Sequence, residues 1–192
     1  GAPGPSSGSD RVALGPGAGG RSGGPFAADE IWRTSWDVNV MAHVYAARAV
    51  LPEMMQRKQG WWLITASAAG LLTDMGTMAY SVTKHAAVAF AEWLAINYGD
   101  DGIGVSCLCP QGVRTPMLTG AGDSGVGAHL LPGMIEPEAV AQAVVEGLSA
   151  ESFLILPHPE VRDYVQRKAG DVDRWLRGMR RVRRQLYGGG SG

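Results

Sequence analysis

From residue 28 to residue 186 the chain alternates segments of helical period with short, continuous apolar runs, and that alternation narrows the folds open to it. "GWWLITAS" (60–67), "IGVSCLCP" (103–110) and "SFLILP" (152–157) lack a polar residue at every second position. Strands covered on both faces read this way. Between them lie four helical segments, 28–57, 79–98, 136–150 and 159–186. The first carries Ile31, Ser35, Val38, Ala42, Tyr45 and Ala49 at helical spacing, after the acidic start Asp29 and Glu30. Val82, Ala86, Ala89, Phe90 and Trp93 run along the second, and Pro137 suits the first turn of the third. In the last, Val161, Tyr164, Val165, Val172, Trp175, Leu176, Met179 and Val182 share one side, with Gly170 and Gly178 as places to bend. Helix, strand, helix, strand is the order of an α/β layer protein with a parallel sheet.

Composition sets the domain limits. Residues 1–25 hold nine Gly, four Pro and four Ser, too little apolar surface to offset chain entropy, and are expected to be disordered. The tail "GGGSG" (188–192) reads as flexible linker. One domain is therefore expected over 26–187. The net charge of −1 gives no global pull toward nucleic acid or an anionic membrane, and no apolar stretch approaches the roughly 20 residues of a membrane span. The last helix holds nine Lys/Arg against four Asp/Glu. A nucleic-acid or acidic-lipid surface would fit, but a solvated basic helix end fits better, because the macrodipole favours cations there and no aromatic platform is interleaved.

Cys107 and Cys109 are the only cysteines. In a strand their spacing points both to one face, where two thiols cannot complete a four-ligand zinc site. His43, His85, His129 and His158 fit no metal-ligand spacing. Core or surface roles are the expectation for all six, with no metal, in a reducing cytoplasm.

Four pieces remain that carry chemistry. "AYSVTKHAAVAFAEW" (79–93) sets Tyr80 one helical turn before Lys84. The strand 60–67 ends at Ser67, thirteen residues before Tyr80, and Asn39 interrupts the apolar stretch "WDVNVMAHVYAARAVLP". After the next strand comes "CPQGVRTPM" (109–117). A free phenol titrates near ~10, so matching neutral pH takes a drop of about three units, or roughly 4 kcal/mol. An ammonium ~5 Å away supplies roughly 3 kcal/mol at an effective dielectric of ~20, and Lys84 is expected to draw the phenol of Tyr80 down by this means.

Together these pieces resemble the short-chain dehydrogenase/reductase family: the "VN" helix with Asn39, the "ITASAAG" strand end with Ser67, the YxxxK pair, and the turn ending in "VRTPM". The resemblance covers roughly residues 26–186. It implies an NAD(P)-dependent oxidoreductase that interconverts a small-molecule alcohol and carbonyl by hydride transfer. Tyr80 would exchange the proton of the substrate oxygen, Ser67 would hydrogen-bond that oxygen, Lys84 would also hold the nicotinamide ribose, and Asn39 would position a relaying water. Pro110, Gly112, Val113 and Thr115 would border the cofactor, NAD or NADP, with Tyr80 and Lys84. Such proteins commonly dimerise through helices at the places of 28–57 and 79–98, so a homo-oligomer is expected.

The sequence also departs from the family. No TGxxxGxG turn or "NNAG"-like segment occurs. "VALGPGAGG" (12–20) is a superficial match: "RVAL" is short for a buried strand, Pro16 interrupts the turn, and only about 20 residues separate it from Asn39, against a unit of ~30 residues for a real fingerprint. The expected fold is thus a partial Rossmann-like, doubly wound parallel sheet of C-terminal strands and helices, with the N-terminal strands missing and strand 60–67 an exposed edge. Truncation ahead of residue 26 is the preferred explanation; pairing with another chain or a non-catalytic interaction module stay open.

Overall fold

The computed structural model describes residues 11–14, 24–115 and 133–187. Its sheet has four strands in the order β1 (Arg11–Leu14), β2 (Gly60–Thr65), β3 (Ile103–Leu108) and β4 (Leu154–Ile155), all parallel. The helices are α1 (Asp29–Trp36), α2 (Ala42–Arg57), α3 (Ala69–Leu72), α4 (Met78–Tyr98), α5 (Pro137–Ser149), α6 (Glu160–Gly170) and α7 (Val172–Tyr187). The parallel α/β architecture is the one the alternation implied.

One strand corrects the sequence reading. Arg11–Leu14 pairs with β2 in register Arg11↔Trp61 to Leu14↔Ile64, so β2 is not an edge. Four residues suffice because the ladder needs only backbone groups, and sheet edges are often short. The disorder expected for residues 1–25 lies, apart from residues 11–14 and 24–25, outside the described residues, as does the tail 188–192.

Strand alternation divides the core between two faces. Trp62 and Ile64 of β2, with Ile103, Val105 and Cys107 of β3, pack with Leu51 and Met54 of α2 and Ala87, Ala91 and Leu94 of α4. Leu63, Leu108 and Ile155 face the other way, toward Val140, Ala143 and Val144 of α5. Helices thus cover both faces, which is why the strands read as unbroken apolar runs. Gly104 in β3 has a packing reason: a Cβ there would lie 2.2 Å from the Trp61 ring.

The first long helix is interrupted. Asp37–Met41 forms a π turn between α1 and α2, which lodges an extra residue in the helix and shifts the phase of the faces. Ser35, Asn39, His43, Ala47 and Leu51, each four residues after the last, form a buried row beside the buried Val40 and Met54, while Val38 and Tyr45 of the expected face are exposed. In α4 the buried side is mostly small, with Ala79, Ser81, Thr83, Ala87 and Ala91 beside Lys84, Val88 and Leu94, and the expected Val82 and Trp93 point outward. The segment 159–186 breaks at Asp171, whose extended backbone (φ −157°, ψ 92°) separates α6 from α7 next to Gly170; Gly178 lies inside α7.

Candidate active site

The site lies past the C-terminal end of β2, where open α/β sheets place their ligands. Two residues beyond β2, Ser67 turns into α3: its Oγ accepts the Ala69 N–H at 3.1 Å and faces the Pro110 carbonyl at 3.5 Å. Pro110 O also accepts the Ala68 N–H at 2.8 Å, which ties the end of the β2 segment to the turn after β3. Tyr80 sits in the first turn of α4. The approach to that turn is fixed by Asp74, whose Oδ2 accepts the N–H groups of Gly76 (3.0 Å) and Thr77 (2.9 Å) and the Thr77 hydroxyl (3.0 Å). Ser81 closes the same loop, accepting the Asp74 N–H at 2.9 Å and donating to its carbonyl at 3.1 Å.

Lys84 lies one turn on and is 1 % exposed. Its Nζ donates to the Thr65 carbonyl at the end of β2 (3.0 Å) and stands 5.6 Å from the centre of the Tyr80 ring. Burial holds this ammonium down to about 8, against the pull of the Cys109 and Cys107 thiols. Tyr80 moves opposite to the sequence expectation. Burial pushes its phenol above the ordinary value, the Ser67 hydrogen bond opposes this, and Asp74 and Cys109 add to the rise. The lowering expected from Lys84 is therefore corrected: loss of phenolate hydration is the largest influence on this half-buried phenol, and it outweighs the Ser67 hydrogen bond.

Asn39 reaches the site through the π turn. It is fully buried, and its Nδ2 donates to Thr83 Oγ1 at 2.9 Å. Thr83 in turn donates to the Ala79 carbonyl at 2.8 Å, on the same helical turn that carries Tyr80 and Lys84. Asn39, Ser67, Tyr80 and Lys84 are thus brought into one neighbourhood by α1–α2, β2 and α4.

The turn 110–115 is held by a residue the sequence reading left among scattered histidines. His158 is buried; its Nδ1 accepts the Gln111 N–H at 3.1 Å, so its Nε2–H is the donor to the Gly112 carbonyl at 3.1 Å. Gln111 also donates to Glu160 at 2.9 Å. Val113 bridges Ile135 in parallel, and Arg114 pairs with Glu136 at 2.6 Å. Pro110, Gly112, Val113 and Thr115 thus lie on a pinned turn beside the end of β3. No motif distinguished His158, Thr83 or Asp74. His158 precedes Pro159 beyond the third apolar run, and only the fold brings it to the turn. His43 is buried and stacked on Phe90 (centroids 6.0 Å apart). Cys107 and Cys109 are buried free thiols with Sγ atoms 3.7 Å apart, on one face as their spacing implied.

Comparison with known proteins gives the family and the fold. The profile of the short chain dehydrogenase family matches residues 13–124, more than half of the sequence, and the chain belongs to that family. It is 34% identical over 145 residues to 1-deoxy-11-beta-hydroxypentalenate dehydrogenase of Streptomyces exfoliatus, covering 74% of this chain and 52% of the relative. To oxidoreductase UcpA of Escherichia coli (strain K12) it is 32% identical over 148 residues, 76% of this chain and 52% of the relative. The chain spans about half the length of these curated relatives. A short-chain dehydrogenase from Streptomyces avermitilis shares the fold with a TM-score of 0.73 at 23% identity, over 91% of this chain and 70% of that one. A short-chain dehydrogenase from Sphingobium yanoikuyae, in complex with NADPH, does so at 0.70 and 20% identity, over 95% and 66%.

Proposed function

We propose that this chain carries the proton-transfer half of an NAD(P)-dependent oxidoreductase that interconverts a small-molecule alcohol and carbonyl. The observation that carries this reading is the meeting of Tyr80, Ser67 and Lys84 at the end of β2, with Asn39 tied to the same helical turn through Thr83. Tyr80 gives its proton to a carbonyl oxygen in reduction and takes it back in oxidation. Ser67 hydrogen-bonds the same oxygen, the Lys84 charge steadies the phenolate, and Asn39 holds the water that links the site to bulk. At neutral pH the raised phenol and an ammonium near 8 leave Tyr80 protonated and Lys84 charged, ready to donate. The residues fit a nicotinamide cofactor, NAD or NADP: the bond to Thr65 uses one of three Lys84 donors, leaving others for a ribose. Pro110, Gly112, Val113 and Thr115 would border the ring. When bound, that cofactor supplies the hydride exchanged at carbon.

A titration with NADH and NADPH, followed by nucleotide fluorescence, tests the reading. Saturable micromolar binding, weakened in Lys84→Met, with any turnover lost in Tyr80→Phe, is the expected result. No binding up to millimolar nucleotide, or full turnover in Tyr80→Phe, would overturn it.

A second reading, a homodimerising module, has its own observation. Trp36, Val38 and Tyr45 on the first helical stretch and Val82, Trp93 and Ile96 on α4 are exposed apolar side chains, Ile96 to 81%, on the two helices expected to pair. Sedimentation at rising concentration should show a dimer that Trp93→Glu weakens; a strictly monomeric folded chain would remove this reading. The free thiols of Cys107 and Cys109 fit the reducing cytoplasm that goes with either reading. Among the described residues, no helix is long and apolar enough to cross a membrane.

A further inference from the structure

We propose that α7 is a docking surface for an anionic lipid bilayer, lying in the plane of the membrane surface. Leu176 (52%), Val182 (38%) and Leu186 (43%) are exposed along one side of this helix, with Val172 at its start exposed to 49%. On the other side stand Arg174, Arg177, Arg180, Arg181 and Arg184; Arg183 alone projects from the apolar side by helical spacing. Asp173 is the one acidic residue within the helix. The helix rests on α6, where the Trp175 ring meets Tyr164 at 6.4 Å, and the aliphatic stripe beyond that contact is left to solvent.

These positions change the sequence reading of a solvated basic helix end. A macrodipole accounts for cations in the last turn only, yet the arginines begin at Arg174, in the first turn, and continue through Arg184. A nucleic acid would take the arginines and leave Leu176, Val182 and Leu186 in water. A second copy packed stripe to stripe would bring two arginine rows together with almost no acid between them. An anionic bilayer takes both features at once: the stripe enters the acyl boundary while the guanidinium groups reach headgroup phosphates. At 16 residues the helix is about 24 Å long, enough to lie across several headgroups.

The test is co-sedimentation of the full chain with vesicles of phosphatidylcholine alone and of phosphatidylcholine containing phosphatidylglycerol. Expected is binding at least roughly tenfold tighter to the anionic vesicles, weakened by salt and lost by a similar factor in Arg177→Glu/Arg181→Glu. Leu176→Asp should also abolish it. Equal binding to both vesicles, or none to either, overturns the proposal, the second being the result for an acidic protein partner. Binding that survives Leu176→Asp and is competed by duplex DNA points to nucleic acid and overturns it. So does a concentration-dependent dimer, lost in Leu176→Asp, without vesicle binding. If a variant fails to fold, the comparison of the two vesicle types with the unmodified chain still decides.

Discussion

Asn39 Nδ2 donates to Thr83 Oγ1 at 2.9 Å, joining the π turn of the first helical stretch to the turn of α4 that carries Tyr80 and Lys84. Both partners are fully buried, so the bond is a joint of the site as well as a contact of the core. Thr83→Val keeps the shape and removes the hydroxyl, and should destabilise the chain by about 1–2 kcal/mol. Asn39→Ala should cost a similar amount, and the double variant less than the sum, with a coupling of roughly 1 kcal/mol. Urea unfolding of the four proteins measures it. Additive effects would mean that the two helices pack independently.

That joint also explains what the sequence could and could not convey. The strands were legible because burial on both faces leaves unbroken apolar runs at β2 and β3, and the Tyr80/Lys84 pair because helical spacing is local. Which helix faces are buried was not. The π turn at Asp37–Met41 advances the phase, so Asn39, His43 and Ala47 go inward while Val38 and Tyr45 stay out. In α4 the apolar Val82 and Trp93 are exposed and a lysine is buried, a reversal that periodicity alone cannot register. β1 was set aside because four residues are short for a buried strand; its partner β2 supplies the reason it forms. The role of His158 rests on contacts across more than forty residues of sequence, beyond any local signal.

The buried Lys84 sets function against stability. Its folded-state value of about 8 lies below the ordinary 10.5 because burial penalises the charge. Between these values an unfolded Lys84 holds more proton than the folded one, so the Lys84 contribution to stability should rise as pH increases from 8 to 10.5. Below 8 the folded chain bears the full penalty. Lys84→Met removes it, and should stabilise the chain at neutral pH by up to about 3 kcal/mol, less the loss of the Thr65 bond. The same change should abolish any nucleotide-dependent turnover. A denaturation series between pH 8 and 9, below the range in which the raised Cys107 thiol and Tyr80 phenol act in the opposite sense, should show the rise in the parent chain and its absence in the variant.

His43 should impose the acid limb. Burial, reinforced by the Lys84 charge, lowers its value from 6.5 to about 4, and its Nδ1 has no hydrogen-bond partner among the described residues. A depressed imidazole contributes stability above 6.5 that is lost as pH falls toward 4, where folding must eject a proton that the unfolded chain keeps. The loss should reach about 3 kcal/mol at the acid end. His43→Leu keeps an apolar partner for Phe90 and should flatten this limb, while other acid-sensitive groups remain. An unchanged slope between those two pH values would show that His43 does not govern it.

The His158 clamp leads to a prediction that separates folding from binding. The ring accepts from Gln111 N and donates to Gly112 O, both at 3.1 Å, so it fixes the backbone on which Pro110, Val113 and Thr115 are carried. His158→Ala leaves one buried donor and one buried acceptor without partners, which should cost about 2–4 kcal/mol. His158→Gln offers one acceptor and one donor and should recover part of it. If the turn borders the nicotinamide, nucleotide affinity measured at a temperature where each variant is folded should follow the order parent, Gln, Ala. A stability loss with unchanged affinity would mean that the clamp serves the core alone, and would move the cofactor contacts away from residues 110–115.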